Sequence, residues 1–135
     1  MSKAYDRVEW YFLKQIMLQL SFDPRWTDLV MSCVSSVTYS FVVNGKATGY
    51  IAPTRGLKQG DPISPYLFLI CVEGLTSLIA RYEQLSLIHG VSICRGAPSI
   101  THLLFADDSF LFMKASFKEC WYLKQILHYY EVAFG

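Results

Sequence analysis

Apolar positions follow helical spacing in four stretches of the chain, and short β-prone or aromatic-rich runs lie between them. From Val8 to Leu20, the residues Trp10, Leu13, Ile16, Met17 and Leu20 fall on one face and predict an amphipathic helix. Asp23-Pro24 then reads as an N-cap followed by a first-turn proline. The helix it opens is expected to bury Trp26, Leu29, Val30, Cys33, Val34 and Val37. Tyr39 to Tyr50 predicts a hairpin. The β-prone run Tyr39-Ser40-Phe41-Val42-Val43 meets Asn44-Gly45, a strong two-residue hairpin signal, and Lys46 to Ile51 returns. Gly49 weakens the returning strand and suggests a bulge.

Pro53 to Pro65 breaks all periodicity, with two glycines, three prolines, two cations and one glutamine. It reads as a shaped loop feeding a helix, with Ser64 as N-cap and Pro65 as first helical residue. That helix is expected to run to about Tyr82, with Phe68, Cys71, Val72, Leu75, Leu78, Ile79 and Tyr82 on its buried face. Leu87 to Cys94 predicts a strand, and Arg95 to Pro98 a turn. Ile100 to Met113 holds two short aromatic-rich runs around Asp107-Asp108, and predicts two buried strands with the acids at their turn. Ser116 and Glu119 form a capping box for a last helix, whose stripe is Leu123, Ile126, Leu127 and Tyr130. Gly135 suits a helix C-cap. Helices with mostly antiparallel strands make an α+β layer fold, with helices on one sheet face and the other face open.

Composition narrows the class. The chain has 135 residues, 53% hydrophobic and 17% charged, enough for a real core. Its formal net charge is +1, whereas a complete nucleic-acid enzyme is usually more basic. Either nucleic acid is not the partner, or the basic parts lie outside this chain. Cys33, Cys71, Cys94 and Cys120 show no C-x-x-C spacing, so a zinc site and a secreted disulfide framework are disfavoured. Each apolar run is interrupted before membrane-spanning length, and no signal-peptide pattern is present. His89, His102 and His128 are dispersed and lack ligand spacing.

The chemistry concentrates at Asp107 and Asp108. Carboxylates on apolar strands are costly to desolvate unless a partner offsets the charge. No Lys or Arg lies between Ile100 and Met113, and a divalent cation is a simple oxygen-binding partner. An exposed structural turn, for which Asp is equally suited, is the alternative.

Three stretches taken together resemble the reverse transcriptase domain of non-LTR (LINE-type) retrotransposons. They are Ser2-Lys3-Ala4-Tyr5-Asp6-Arg7-Val8-Glu9-Trp10, then Arg55-Gly56-Leu57-Lys58-Gln59-Gly60-Asp61-Pro62-Ile63-Ser64-Pro65-Tyr66-Leu67-Phe68, then Phe105-Ala106-Asp107-Asp108. In order and separation they are similar to that family's motifs A, B and C. The second is the most specific of the three. The resemblance implies a partial reverse transcriptase domain over residues 1–135, a polymerase palm with antiparallel sheet and helices on one face. It implies an RNA template, a DNA primer and a deoxynucleotide as partners, no membrane, and an intracellular setting, nuclear or cytoplasmic. Two Mg²⁺ or Mn²⁺ ions would serve the reaction, with Asp107 as the main metal ligand and Asp108 as a more peripheral one. Tyr5 matches the bulky residue that excludes a sugar 2′-hydroxyl. Gln59 and Gly60 match the contact with template and nucleotide, and Arg55 and Lys58 are candidates for phosphate. A remnant without catalysis, keeping a nucleic-acid or protein contact surface, is the alternative.

One departure affects mechanism. The family's motif A carboxylate lies five residues before the aromatic matched by Tyr5, which falls one residue before Met1. Asp6 is therefore not that ligand, and is expected to cap the helix carrying Trp10 and Leu13. The chain is accordingly expected to be a fragment without fingers or thumb, inactive alone, with exposed apolar surface, an unpaired sheet edge and poor expression.

Overall fold

A computed structural model describes the backbone of residues 2–105 and 108–135, and side chains from Ala4 onward within those ranges. Asp107 lies outside the described residues, so the expected turn position of that carboxylate is not assessed.

The fold is α+β, with elements in the order α1 (Ser2–Arg7), α2 (Trp10–Gln19), α3 (Pro24–Ser35), β1 (Tyr39–Val43), β2 (Lys46–Ile51), α4 (Ser64–Gln84), β3 (His102–Phe105), β4 (Asp108–Leu111) and α5 (Phe117–Phe134). Two compact units divide it, residues 1–71 with 134–135, and residues 72–133. Among the described residues the strands form two separate antiparallel pairs, β1–β2 and β3–β4, in place of the one sheet expected.

In the first unit, Val8, Leu13, Met17, Val30, Leu57, Leu67 and Cys71 form the core. The residues from Met1 to Tyr5 are too few to show a period in the sequence, and a helix begins at Ser2. Asp6 lies inside α1, and the N-cap of α2 is Glu9, which makes no side-chain cap bond. The expected capping by Asp6 is therefore corrected: it is one turn too early to reach the free N–H groups of α2.

Asp23 does cap α3, accepting from Arg25 N–H at 2.8 Å and Trp26 N–H at 3.2 Å. Such a cap is worth about 1 kcal/mol. The buried stripe of α3 is Thr27 and Val30, with Met31 and Val34 partly covered, while Trp26, Leu29 and Cys33 are exposed. Both stripes have helical spacing, and a hydroxyl at Thr27 disguised the correct one.

The β1–β2 hairpin forms as expected. Asn44 and Gly45 have φ of 50° and 77°, the left-handed pair that a type I′ turn requires. The register slips between Tyr39 and Phe41, opposite Gly49 at φ 77°, so the bulge is also present. Both strands are exposed along their whole length.

In the second unit, Leu75, Ile79, Ile88 and Ile126 form the core, with Leu78, Tyr82, Leu111, Tyr122 and Tyr130 packed on it. The expected strand from Leu87 to Cys94 reduces to one antiparallel bridge, Val91 with Ile100. Gly90 permits it, because a Cβ there would lie 2.5 Å from the Ile100 carbonyl oxygen. A run with Gly90 and Ser92 and a turn close behind offers no further pairing. Strands β3 and β4 are present, but they are mostly exposed and not buried as expected.

Only half of the capping box forms at α5: Ser116 Oγ accepts from Glu119 N–H at 3.2 Å, and the Glu119 carboxylate goes elsewhere. Helix α4, with 21 residues, is long and apolar enough by length and composition to cross a membrane, contrary to the reading that every apolar run falls short. Its Leu67, Cys71, Leu75 and Ile79 are core residues of the two units.

Candidate functional site

Two of the three motif stretches are joined by hydrogen bonds within the first unit. The chain after α1 runs against the loop before α4. Gly56 N–H donates to the Val8 carbonyl at 2.8 Å, and Leu57 N–H to the Tyr5 carbonyl at 2.8 Å. The Trp10 indole N–H donates to the Gly56 carbonyl at 2.8 Å, and Arg55 pairs with Glu9 at 3.3 Å. The approach is close enough to demand glycine. Gly56 has φ +89°, and a Cβ there would lie 3.0 Å from the Asp6 carbonyl oxygen.

The aromatic of motif A is held by stacking. The Tyr5 ring lies 4.9 Å from that of Phe68 at an interplanar angle of 6°, and Phe134 meets Phe68 edge-on at 6.2 Å. Tyr5 is half-buried, so part of it still faces solvent. Stacked and edge-on pairs of this kind add about 1 kcal/mol beyond area burial.

Lys58, Gln59 and Gly60 stand exposed at the tip of the loop. Asp61 N–H donates to the Lys58 carbonyl at 3.4 Å, which closes a four-residue turn with Gly60 at φ +83° in its third position. A type II turn requires that sign of φ. Nothing lies within 4 Å of where a Gly60 Cβ would stand, so its surroundings are open. Beyond the tip, Asp61 Oδ1 accepts from Ile63 N–H at 3.0 Å and the Asp61 carbonyl from Ser64 N–H at 3.2 Å. These bonds lead the chain into α4.

The third stretch belongs to the second unit. Asp108 opens β4 opposite Phe105, and Leu103 pairs with Phe110. These four residues share the open face of the hairpin, and all are exposed. His102 and Leu111 pair on the other face, where Leu111 joins the core. The Asp108 carboxylate therefore stands on an uncovered face, not on the buried strand that the apolar runs suggest. A solvated Asp108 carries no large desolvation cost, which removes the argument for a cation from burial alone.

Hard carboxylate oxygens suit Mg²⁺ or Mn²⁺ in kind. Among the described residues, however, no three His, Cys, Asp or Glu side chains group together, so the donor number for a full metal site is not reached there.

Sequence reasoning missed two supports of this site, Trp10 and Phe68, and one buried carboxylate elsewhere in the second unit, Glu119. Trp10 passed for a core residue of α2, although an indole N–H signals a need for an acceptor. Phe68 was placed on the buried face of α4, while half its role is to back Tyr5. Glu119 was assigned to a cap. It is 6% exposed, and it accepts from His89 N–H at 3.1 Å, from the Lys114 N–H at 3.0 Å, and pairs with His89 Nδ1 at 2.9 Å. Burial pushes its carboxyl up, but the hydrogen bonds from His89 and Lys114 outweigh that and hold it below its ordinary value. Cys71, by contrast, has its thiol pushed up to about 12 by burial, so it is an inert core residue.

Five helices with two small antiparallel sheets among the described residues, and the order of the motif stretches, are consistent with an incomplete domain of the reverse transcriptase class. The chain belongs to the reverse transcriptase (RNA-dependent DNA polymerase) family, which it matches over residues 1–132. It is 33% identical over 109 residues to the Retrovirus-related Pol polyprotein from type-1 retrotransposable element R2 of Popillia japonica, covering 81% of this chain and 17% of that one. It is 46% identical over 69 residues to an uncharacterized mitochondrial protein of Arabidopsis thaliana, 51% of this chain and 57% of the relative. It is 28% identical over 79 residues to the Transposon TX1 uncharacterized 149 kDa protein of Xenopus laevis, 58% of this chain and 6% of the relative. These relatives and the motifs place it with reverse transcriptases of non-LTR retrotransposons. The chain spans little more than half of the Arabidopsis relative and a small part of the others.

Proposed function

We propose that residues 1–135 are a partial palm domain of an RNA-directed DNA polymerase whose intact form acts on an RNA template, a DNA primer and a deoxynucleoside triphosphate, and that the chain by itself does not polymerise. In that reaction the primer 3′-hydroxyl oxygen forms a bond to the nucleotide α-phosphorus, and pyrophosphate leaves. Reverse transcriptases use divalent metal, and two bound ions would supply activation of the attacking oxygen and neutralisation of charge on the leaving phosphates. Asp107 and Asp108 would hold them, Asp107 as the principal ligand. Tyr5, braced by Phe68, presents a rigid ring where a ribose 2′-hydroxyl would have to fit. Gln59 and Gly60 contact template and nucleotide from the loop tip. Lys58 meets phosphate there, and Arg55 contributes less because Glu9 already pairs with it.

The observation that supports this reading most is the junction of Tyr5 and Val8 with Gly56 and Leu57, which ties two motif stretches distant in sequence into one assembly. The exposed apolar residues of β1–β2 favour a second reading, a protein-contact surface without catalysis. The test is Mn²⁺ titration followed by electron paramagnetic resonance, together with binding of a labelled RNA–DNA primer–template. The polymerase reading expects a weak Mn²⁺ site that disappears in Asp107→Asn, and duplex binding that weakens with salt. Mn²⁺ binding unchanged by Asp107→Asn, with no affinity for the duplex, would leave the second reading standing.

A further inference from the structure

The loop tip Lys58-Gln59-Gly60 is exposed, yet the chain on either side of it is fixed by specific bonds. On the entering side, the Trp10 indole N–H holds the Gly56 carbonyl at 2.8 Å, beside the backbone bonds from Gly56 and Leu57. On the leaving side, the Asp61 carboxylate holds Ile63 N–H at 3.0 Å and sets the entry into α4. Neither Trp10 nor Asp61 stands at the tip itself. Each fixes the backbone from which the tip projects. A ligand contact made from a loop needs this support, because a shift of about 1 Å in a contacting group is enough to lose it.

We infer that Trp10 and Asp61 are positioning residues for the Lys58-Gln59-Gly60 tip, two posts that set its height and direction toward bound template and nucleotide. This rests on the reading proposed above for the tip. The two posts differ in chemistry, which makes them separable. Phenylalanine at position 10 keeps an aromatic ring but loses the donor. Asparagine at position 61 keeps the acceptor oxygen, whereas alanine removes it.

The experiment compares the full chain with Trp10→Phe, Asp61→Ala, Asp61→Asn and Lys58→Ala. Two quantities are read: amide hydrogen exchange at Leu57 and Ser64, the hydrogen-bonded amides on either side of the tip, and the affinity of an RNA–DNA primer–template as a function of salt. Loss of one hydrogen bond of ordinary strength should speed exchange about fivefold at Leu57 in Trp10→Phe and at Ser64 in Asp61→Ala. Asp61→Asn should restore wild-type exchange. Both post variants should weaken duplex binding with the log–log salt slope unchanged, since neither removes a phosphate contact. Lys58→Ala should instead lower that slope by roughly one.

Exchange at Leu57 and Ser64 that is unchanged in both post variants overturns the inference. So does an Asp61→Asn variant as loose as Asp61→Ala. If Trp10→Phe does not fold, the Asp61 pair decides alone. A wild-type chain that shows no salt-dependent duplex binding defeats the functional reading, and the exchange measurement still judges the posts.

Discussion

Gly56 and Asp6 touch backbone to backbone. A Cβ on Gly56 would stand 3.0 Å from the Asp6 carbonyl oxygen and 3.1 Å from its Cα, with Gly56 at φ +89°. The two positions are fifty residues apart in sequence, and the contact is what lets the loop pair with Tyr5 and Val8. Gly56→Ala therefore incurs two penalties, a strained φ and a clash that only backbone movement can relieve. The expected loss is about 2 kcal/mol or more, since either penalty alone exceeds about 1 kcal/mol. Thermal melting of the variant should show a fall of several degrees, and an unchanged melting temperature would refute the contact.

Thr27 presents the opposite case. It is fully buried in α3, and its hydroxyl has no partner among the described residues. Thr27→Val keeps the shape and removes the orphaned polar atom. The variant should gain about 1 kcal/mol, the ordinary difference between an unpaired buried hydroxyl and a methyl of similar volume. Denaturant unfolding with an unchanged m-value would report it. A loss of stability would mean that water or another group meets the hydroxyl.

These two residues also show what the sequence reveals and what it hides. Elements with a local cause were legible: Asp23 caps α3, Asn44-Gly45 turns the β1–β2 hairpin, and Gly49 makes its bulge. Each depends on chemistry within a few residues. The motif stretches were legible because their residue types are specific. What escaped were relationships set by packing. The sequence offers two helical stripes on α3, and only tertiary contact selects Thr27 and Val30 over Trp26 and Leu29. Nothing local says that the Trp10 indole will find Gly56, or that Glu119 will leave its cap for His89. Apolar strands around Asp108 suggested burial, but alternation covers one face only, and the acid lies on the other.

The Glu119 carboxylate sets a pH dependence. Its folded-state value is depressed below the ordinary 4.5, so it favours the folded state wherever it is ionised in both states. That contribution is complete above about pH 4.5 and is lost as pH falls through the lower folded value. Glu119→Gln has one acceptor oxygen where two serve His89 and the Lys114 N–H. The variant should melt lower than wild type at neutral pH, and the gap should narrow as pH falls through the depressed folded-state value of the wild-type carboxyl. A gap constant with pH would show that the charge plays no part.

The exposed hairpin should govern association in solution. Val42 and Tyr50 are 74% and 73% exposed, and both edges of the pair β1–β2 lack a neighbouring strand among the described residues. In the second unit Phe117 is 99% exposed at the start of α5. Apolar side chains on an open strand edge invite pairing with another copy, because the edge supplies unmet backbone hydrogen bonds and the side chains supply the burial. Lysine on a strand edge opposes such pairing through desolvation and repulsion between copies. Val42→Lys should therefore raise the monomer fraction in size-exclusion chromatography with light scattering, while Phe117→Lys, on a helix with its backbone bonds met internally, should change it less. Equal effects from the two would assign the association to apolar area alone. A wild-type chain that stays monomeric at high concentration would remove the hairpin from consideration.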